Sequence, residues 1–320
     1  MIMKMHLNAF RLAGWFAAAI FLSASAEPVF AQAKNYDPPS HTRVENFPAN
    51  PNLPSLFIIG DSTVRNGRGR GDGGQWGWGD WLAPYFDTNK INVVNRALGG
   101  TSSRTFYRDQ WPHTRALLKP GDFVLMQFGH NDTSPINEKI LNSRTRSRGT
   151  IKGVGDETVA ITNILTKKFE IVHSFGWYEK QMIAEARAKG ATPMVCSLIP
   201  RNNWDNGRVR RNKNDYAGWA GEVAAVEHAP FLDLNEIIAR HYDALGHDAV
   251  QPLFVAGAGP HTSLAGAQTN ALCVVSALKG LKENPLAKYF SAKADGVPPA
   301  DLSRLAPEPA APAPEKTTPE

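Results

Sequence analysis

The 320-residue sequence predicts an α/β fold: a three-layer α/β/α sandwich around a five-stranded parallel sheet. Five short runs of residues are apolar throughout, as expected of strands buried on both faces of a parallel sheet. Runs with helical periodicity alternate with them, which favours helices covering each side of the sheet. Several strand-like runs end in small polar residues, and the ligands of such open sheets gather at the carboxyl ends of the strands.

Residues 1–33 are predicted to be a secretory signal peptide. Lys4 and Arg11 precede the apolar run LAGWFAAAIFLSASA, and small-residue cleavage sites end at Ala26 and at Ala33. Both sites fit equally well. An uncleaved anchor is the alternative, but the apolar run is shorter than the ~20 residues that a spanning helix needs. We therefore expect a periplasmic or secreted protein that has no membrane contact after cleavage.

The predicted elements follow one another in an alternating order. Residues 34–53 are rich in proline and asparagine and are predicted to form an extended lead-in to a domain that spans 54–290. Strands are expected where apolar residues run without interruption, at 55–60, 91–98, 122–129, 192–200 and 229–234. Helices are expected at 78–86, 105–118, 175–190, 214–227, 235–246 and 264–281. The third of these helices is amphipathic, and Gly190 closes it.

Two segments lack such patterns. The insert 133–174 has no clear periodicity and is long for a plain loop, so we expect it to form one wall of a substrate cleft. The segment 291–320 is rich in proline and alanine, and it is predicted to be disordered or to act as a spacer.

Composition argues against several classes of function. Removal of residues 1–33 changes the formal net charge only from +5 to +4, because Lys4, Arg11 and Glu27 are lost. The densest basic cluster, RTRSRGTIK at 144–152, has no interleaved aromatic residues, so nucleic-acid binding is not expected. The histidines show no metal-binding spacing, so a metal site is not predicted.

The two cysteines do not form a disulfide framework. Cys196 and Cys273 each lie in an apolar run and are predicted to be buried free thiols, although an exported chain could pair them. The protein is expected to be a monomer.

Four groups that are distant in the chain indicate a hydrolytic site. Ser62 follows the first strand, Gly100 the second and Asn131 the third, and His261 precedes the last helix. A serine hydroxyl becomes a nucleophile when a base takes its proton, and His261 is the candidate base for Ser62. The resulting oxyanion needs N–H donors, for which the backbones of Ser62 and Gly100 and the side chain of Asn131 are candidates.

Each of these sequences also has an ordinary structural explanation. Gly-Asp-Ser after a strand is a frequent turn, and Gly-Gly-Thr is a frequent loop. His-Asn-Asp could cap a helix, and a single histidine is more often a surface residue. Their occurrence together, in this order and each at the end of an element, favours the functional interpretation.

Further candidates for substrate contact lie along the same edge of the sheet. The glycine-rich stretch 65–81 lacks a phosphate-binding pattern and is expected to form a rim beside the serine. Trp76 in this stretch could stack on a sugar ring or pack against the protein. A guanidinium can bind a sugar carboxylate through two hydrogen bonds, and the candidates for this role are Arg68, Arg70, Arg104 and Arg201.

Several blocks of the sequence resemble the SGNH (GDSL-like) hydrolase superfamily. They are GDSTVRNG, WGWGDWLAPYF, VVNRALGGTSSRTF, MQFGHND and HTSLAGA, which together cover 54–282 and are most similar to the rhamnogalacturonan acetylesterase group. The resemblance implies a flavodoxin-like sandwich, Ser62 as nucleophile, His261 as base, an oxyanion hole of Ser62, Gly100 and Asn131, and no cofactor. It implies an exported esterase that deacetylates a plant cell-wall polysaccharide such as rhamnogalacturonan, pectin or xylan.

One position departs from the resembled family, which has an aspartate three residues before the histidine. Here that residue is Ala258. A backbone carbonyl could hold the imidazole and leave a Ser-His dyad, or Asp132 or Asp233 could reach it. The dyad is the favoured interpretation, because the nucleophile and the oxyanion donors are present. A catalytically weakened carbohydrate-binding protein is one alternative, and a lipase or thioesterase of the same superfamily is another.

Overall fold

A parallel sheet of five strands forms the centre of the fold, as the sequence predicts. The computed structural model describes residues 44, 46–138 and 147–301, which all belong to one compact unit. In chain order the described strands are β1 (Ser55–Gly60), β2 (Asn92–Asn95), β3 (Phe123–Gln127), β4 (Thr158–Thr162), β5 (Phe169–His173), β6 (Thr192–Cys196), β7 (Trp204–Asp205), β8 (Arg208–Val209) and β9 (Phe231–Leu232). The central sheet has the order β2-β1-β3-β6-β9.

The register of the sheet brings two loops to one edge. All residues of β1 and β3 are buried, and the two strands pair in parallel from Leu56 with Phe123 to Gly60 with Gln127. Since both strands end at the same level, the loops that follow them leave the sheet side by side. This edge is where the sequence predicts the chemistry.

Helices cover both faces of the sheet. They are α1 (Ser103–Asp109), α2 (Trp111–Arg115), α3 (Phe175–Ala188), α4 (Tyr216–Val226), α5 (Leu234–Leu245), α6 (His247–Val250) and α7 (Leu264–Gly280). Side chains alternate between the faces of each strand, so the sheet has two separate apolar cores. Phe57, Ile59, Val124 and Met126 pack with α1 to α4. Leu56, Ile58, Leu125 and Met194 pack with α5 and α7. The predicted three-layer sandwich is therefore confirmed.

Two predicted helices differ from the structure. The segment 78–86 forms two short 3-10 turns, Trp78–Trp81 and Ala83–Tyr85, because Gly79 and Pro84 both disfavour a helix interior. The segment 105–118 is divided into α1 and α2, since Pro112 favours the start of a new helix.

The insert contains structure that its sequence did not reveal. Its strands β4 and β5 form an antiparallel hairpin in which Val159 pairs with Val172. Residues 139–146 of the insert lie outside the described part of the chain.

The predicted disorder of the C-terminal segment is wrong for residues 291–301, which pack along α7. The Nζ of Lys279 donates to the carbonyls of Ala294 at 2.9 Å and Val297 at 2.6 Å. The N–H of Ala300 donates to Ser276 O at 2.8 Å. These contacts compensate for the low apolar content that suggested disorder. Residues 302–320 lie outside the described part.

Other predictions concern the N-terminus and the thiols. The predicted signal peptide and most of the lead-in lie outside the described residues. The described end of the lead-in contacts β2, where Asn50 N donates to Asn92 Oδ1 at 2.9 Å. Cys196 and Cys273 are both buried and free. In the described ranges, no helix has the length and apolarity to cross a bilayer.

Candidate active site

Ser62 lies in a tight turn directly after β1. The N–H groups of Val64 and Arg65 donate to the carbonyl of Asp61 at 3.2 and 3.1 Å, which closes the turn around the serine. The Asp61 carboxylate accepts the N–H and the hydroxyl of Thr63, both at 2.8 Å. Burial raises the pKa of Asp61 to about 6, against the effect of these hydrogen bonds. The Asp of Gly-Asp-Ser is thus a structural part of the turn.

A buried chain of hydrogen bonds connects this turn to β3. Gln127 Nε2 donates to Thr63 Oγ1 at 2.6 Å, and Trp78 Nε1 donates to Gln127 Oε1 at 2.9 Å. Because these groups are removed from water, each is costly to leave unpaired. The network therefore fixes the turn that carries Ser62 against the neighbouring strand.

His261 approaches Ser62 from the loop before α7. Its Nε2 lies 2.9 Å from Ser62 Oγ, a hydrogen-bonding distance between residues 199 positions apart in the chain. The adjacent residue Thr262 is held by Trp76: Trp76 N donates to Thr262 O at 3.0 Å, and Thr262 Oγ1 donates to Trp76 O at 2.8 Å. The glycine-rich stretch and the histidine loop therefore support each other.

The surroundings of His261 favour its neutral form. Burial lowers the pKa of the imidazole, and the nearby charge of Arg201 lowers it further, while a hydrogen bond with the Ala258 backbone acts in the opposite direction. Burial, the charge of Arg201 and the proximity of His261 also lower the pKa of the neighbouring His130, to about 3.

The two carboxylates considered as replacements for the missing acid are bound elsewhere. Asp132 accepts the hydroxyl of Ser103 at 2.5 Å, and Asp233 accepts that of Ser197 at 2.8 Å. The contact behind His261 is instead the backbone of Ala258, at the position where the resembled family has aspartate.

The predicted oxyanion donors lie at the same edge. Gly100 has a φ of 86°, a left-handed conformation that glycine adopts readily, and its Cβ position is open except for the Arg148 guanidinium at 3.5 Å. Asn131 Nδ2 donates to Thr101 O at 2.8 Å, which leaves its second amide hydrogen for another acceptor. The backbone N–H groups of Ser62 and Gly100 have no hydrogen-bond partner among the residues that the structure describes.

These groups surround one cavity of about 590 Å³. Ser62, Gly100, Asn131 and His261 all line it, so the structure brings the four predicted groups together. The remaining wall is strongly basic and includes Arg65, Arg68 and Arg148 together with Asp72. A cavity of this size accommodates a small ligand or one sugar unit with its substituent.

The three predicted substrate-binding residues, Trp76, Arg201 and Arg104, differ in their position relative to the cavity. Trp76 does not line the cavity; it is half-buried and packs edge-on against Trp81 with ring centroids 5.3 Å apart. Arg201 lies beside the site, where its charge acts on His261 and Asp61.

The prediction for Arg104 is wrong. Its side chain is fully buried on α1, where Nε pairs with Glu170 Oε1 at 2.7 Å and Nη1 donates to Ile136 O at 2.9 Å. Arg104 therefore holds the insert to the domain and cannot reach a substrate. Its proximity in sequence to Gly100 suggested the edge of the sheet, but the helical turn directs it away.

Arg65 and Arg148 are cavity residues that the sequence analysis did not select. Arg148 donates to Gly100 O at 2.7 Å and to Ser134 Oγ at 3.0 Å, so it joins the insert to the loop after β2. The prediction that the insert forms a wall of the cleft is confirmed by this residue. The sequence feature that could have indicated Arg148 is the basic cluster at 144–152, which lies in that insert.

Among the residues that the structure describes, no group of three or more His, Cys, Asp or Glu side chains is arranged to hold an ion.

A family model for GDSL-like lipases and acylhydrolases matches residues 58–268, which include all four cavity groups. The chain belongs to the GDSL-like lipase/acylhydrolase family. It is a carboxylic ester hydrolase, and the resemblance seen in the sequence blocks is confirmed. The family's parallel sheet and flanking helices are those described above.

Two curated relatives and one solved structure extend this assignment. The rhamnogalacturonan acetylesterase of Emericella nidulans is 28% identical over 201 residues, covering 62% of this chain and 75% of the relative. The probable rhamnogalacturonan acetylesterase YesY of Bacillus subtilis is 29% identical over 234 residues, covering 71% and 92%. The crystal structure of the protein YxiM from Bacillus subtilis superposes with a TM-score of 0.56 at 24% identity, over 71% of this chain and 56% of that one. The structural likeness concerns the fold.

Proposed function

We propose that this protein is an exported serine esterase that removes acetyl groups from a plant cell-wall polysaccharide. The observation that carries the proposal is the 2.9 Å approach of His261 Nε2 to Ser62 Oγ inside a cavity that also holds Gly100 and Asn131. The names of the two acetylesterase relatives support the choice of an acetylated polysaccharide or oligosaccharide such as rhamnogalacturonan, pectin or xylan.

In the first step of the proposed mechanism, Ser62 Oγ attacks the acetyl carbonyl carbon while His261 Nε2 takes the hydroxyl proton. The carbonyl oxygen becomes an oxyanion and accepts hydrogen bonds from the N–H of Ser62, the N–H of Gly100 and the free amide hydrogen of Asn131. His261 then protonates the sugar oxygen, which leaves as an alcohol. An acetyl-serine remains.

In the second step, a water molecule attacks the acetyl-serine, and His261 takes its proton. The same donors stabilise the second oxyanion, and acetate leaves when the proton returns to Ser62 Oγ. Throughout, the Ala258 backbone replaces the usual carboxylate behind the imidazole. It holds the ring orientation but adds no negative charge, so we expect a dyad that is active but slower than a full triad.

The basic wall supports an acidic substrate. Arg65 and Arg68 line the cavity, and Arg201 lies beside it, whereas Asp72 is the one carboxylate among the described lining residues. A guanidinium can bind a uronate carboxylate through paired hydrogen bonds. We therefore favour an acetylated uronate-containing polysaccharide over a neutral one and over a long-chain acyl ester.

The proposal is tested by measuring acetate released from acetylated pectin and acetylated xylan by the wild-type protein and by Ser62→Ala. We expect release by the wild type and none above background by the variant, because the variant cannot form the acetyl-enzyme. Folding of the variant is checked by thermal unfolding. Equal release by both proteins contradicts the proposal. A preference for long-chain nitrophenyl esters over the acetyl ester favours the lipase alternative.

The pH dependence gives a second test. The base must be neutral, and burial together with Arg201 lowers the pKa of His261 below its ordinary value of 6.5. Activity should therefore rise with pH through a midpoint below 6.5 and be fully present above it. In Arg201→Gln the positive charge is lost, so this pKa and the midpoint should shift upward.

The measurement is the pH profile of kcat/KM for a nitrophenyl acetate. Arg210→Gln, which removes an exposed arginine outside the cavity lining, serves as the control and should leave the midpoint unchanged. A midpoint that does not respond to Arg201→Gln would show that Arg201 has no influence on the base.

Export is part of the proposal and is supported by the signal-like residues 1–33. N-terminal sequencing of the protein recovered from the periplasm or the medium should find a start after Ala26 or Ala33. A mature chain that still begins at Met1 would contradict it.

A further inference from the structure

Asp132 lies between the two loops that carry the oxyanion donors. Its side chain is buried, and both carboxylate oxygens accept hydrogen bonds. Oδ1 accepts the N–H of Ser103 at 3.1 Å and its hydroxyl at 2.5 Å. Oδ2 accepts the N–H of Gly129 at 3.0 Å. Thus one carboxylate binds donors from the start of α1 and from the end of β3.

These contacts join the segment that follows Gly100 to the segment that precedes Asn131, and these two residues are the proposed oxyanion donors. Ser103 follows Gly100 closely at the first residue of α1, and Gly129 precedes Asn131 in the next loop. A second bond joins the same loops, since Asn131 Nδ2 donates to Thr101 O at 2.8 Å. The two loops have no covalent connection at this edge. Their relative position is held by the Asp132–Ser103 and Asn131–Thr101 bonds, together with Arg148, which donates to Gly100 O and Ser134 Oγ.

We propose that Asp132 is a positioning residue that fixes the Gly100 N–H and the Asn131 amide at the spacing needed to bind one oxyanion. The role rests on the function proposed above. Asp132 is not expected to contact the substrate, since it does not line the cavity.

The donors around Asp132 favour its ionised carboxylate, whereas burial and the charge of Asp61 raise its pKa to about 7. Three donors converge on the side chain, and a carboxylate can accept on both oxygens, whereas an amide accepts on one and presents an N–H₂ group to the other donor. The Asp132 carbonyl is also held, by Thr150 N at 3.2 Å and by Tyr216 Oη at 3.1 Å. The backbone of residue 132 is therefore anchored. A substituted side chain cannot recover the bonds to Ser103 and Gly129 by a shift of the backbone.

The test compares Asp132→Asn and Ser103→Ala with the wild type. Asp132→Asn keeps the shape of the side chain but replaces one acceptor oxygen by an N–H₂ group. A displacement of the oxyanion donors on the order of 1 Å can lower turnover by about 10²-fold. Ser103→Ala removes only the hydroxyl bond, so its kcat should fall less. For both variants KM should stay near the wild-type value. Affinity for phenylboronic acid, whose serine adduct places an oxygen at the donors, should fall in parallel with kcat.

Glu179→Gln is the matched control. Glu179 is also a buried acid, on α3, and its two oxygens have no hydrogen-bond partner in the described part of the chain. Burial and then the nearby charge of Asp132 raise the pKa of Glu179 well above its ordinary value, so Glu179 is uncharged and the substitution by an amide leaves the charge beside Asp132 unchanged. This variant should retain the wild-type kcat and the wild-type affinity for phenylboronic acid.

Several outcomes would overturn the positioning role. One is wild-type kcat in folded Asp132→Asn, and another is a loss of kcat with no loss of phenylboronic acid affinity. If Asp132→Asn does not fold, the test rests on Ser103→Ala, and wild-type kcat in Ser103→Ala contradicts the proposal. A wild-type protein that hydrolyses no aryl ester overturns the proposed function and this role together, whereas active wild type and fully active variants overturn only this role.

Discussion

Substitution of His261 by alanine is expected to reduce kcat for ester hydrolysis by about 10⁴-fold or more, because no other base among the described residues is hydrogen-bonded to Ser62 Oγ. Nε2 of His261 contacts Ser62 Oγ at 2.9 Å, and its neutral form is favoured by burial and by Arg201. His130 does not replace it, since Ser62 has no hydrogen bond to that residue. KM should change little, because the cavity wall remains intact.

The measurement is steady-state kinetics with nitrophenyl acetate and with an acetylated oligosaccharide. His247→Ala is the control: it removes an exposed imidazole on α6 that does not line the cavity, and its kcat should be unchanged. Retention of more than a tenth of the wild-type kcat in His261→Ala would show that the histidine is not the base.

Substitution of Asn131 by alanine is expected to lower kcat by about 10²- to 10³-fold, the usual effect of losing one oxyanion donor. The amide also donates to Thr101 O at 2.8 Å, so the variant loosens the loop that carries Gly100 as well. Because the oxyanion exists only in the transition states and intermediates, the loss should appear in kcat and not in KM.

Asn89→Ala provides the comparison for this prediction. Its Nδ2 donates to Asp87 Oδ1 at 3.2 Å at an exposed position, so the variant loses an equivalent side chain away from the cavity. It should keep the wild-type kcat. An equal fall of activity in the two variants would indicate a general disturbance of the fold and would contradict a specific role for Asn131.

The sequence predicts the sheet and the central groups of the site because both have local signals. An apolar run that stops at Gly-Asp-Ser places Ser62 at the end of a buried strand, and the same reasoning places Gly100 and Asn131. His261 lies on no strand, but the turn before α7 is marked by Ser263, whose side chain caps that helix. For these residues, position in an element determines position in space.

Other parts of the site depend on contacts that have no sequence signal. A backbone carbonyl has no side-chain identity, so the sequence favours a Ser-His dyad but cannot show which backbone group acts on His261. Arg104 lies near Gly100 in the sequence and Arg148 far from it, yet Arg104 is buried against Glu170 and Arg148 contacts Gly100 and lines the cavity. Only the packing of the insert distinguishes them. Similarly, residues 291–301 are ordered by α7 and not by their own composition.

The central claim is that Ser62 is a nucleophile activated by His261, and active-site labelling tests it most directly. The intact protein is incubated with a serine-directed organophosphate, and its mass and the modified peptide are determined. We predict one adduct per chain, located on Ser62, with none in Ser62→Ala and greatly slowed labelling in His261→Ala. Absence of labelling in the wild type, or an adduct on another residue, would contradict the claim.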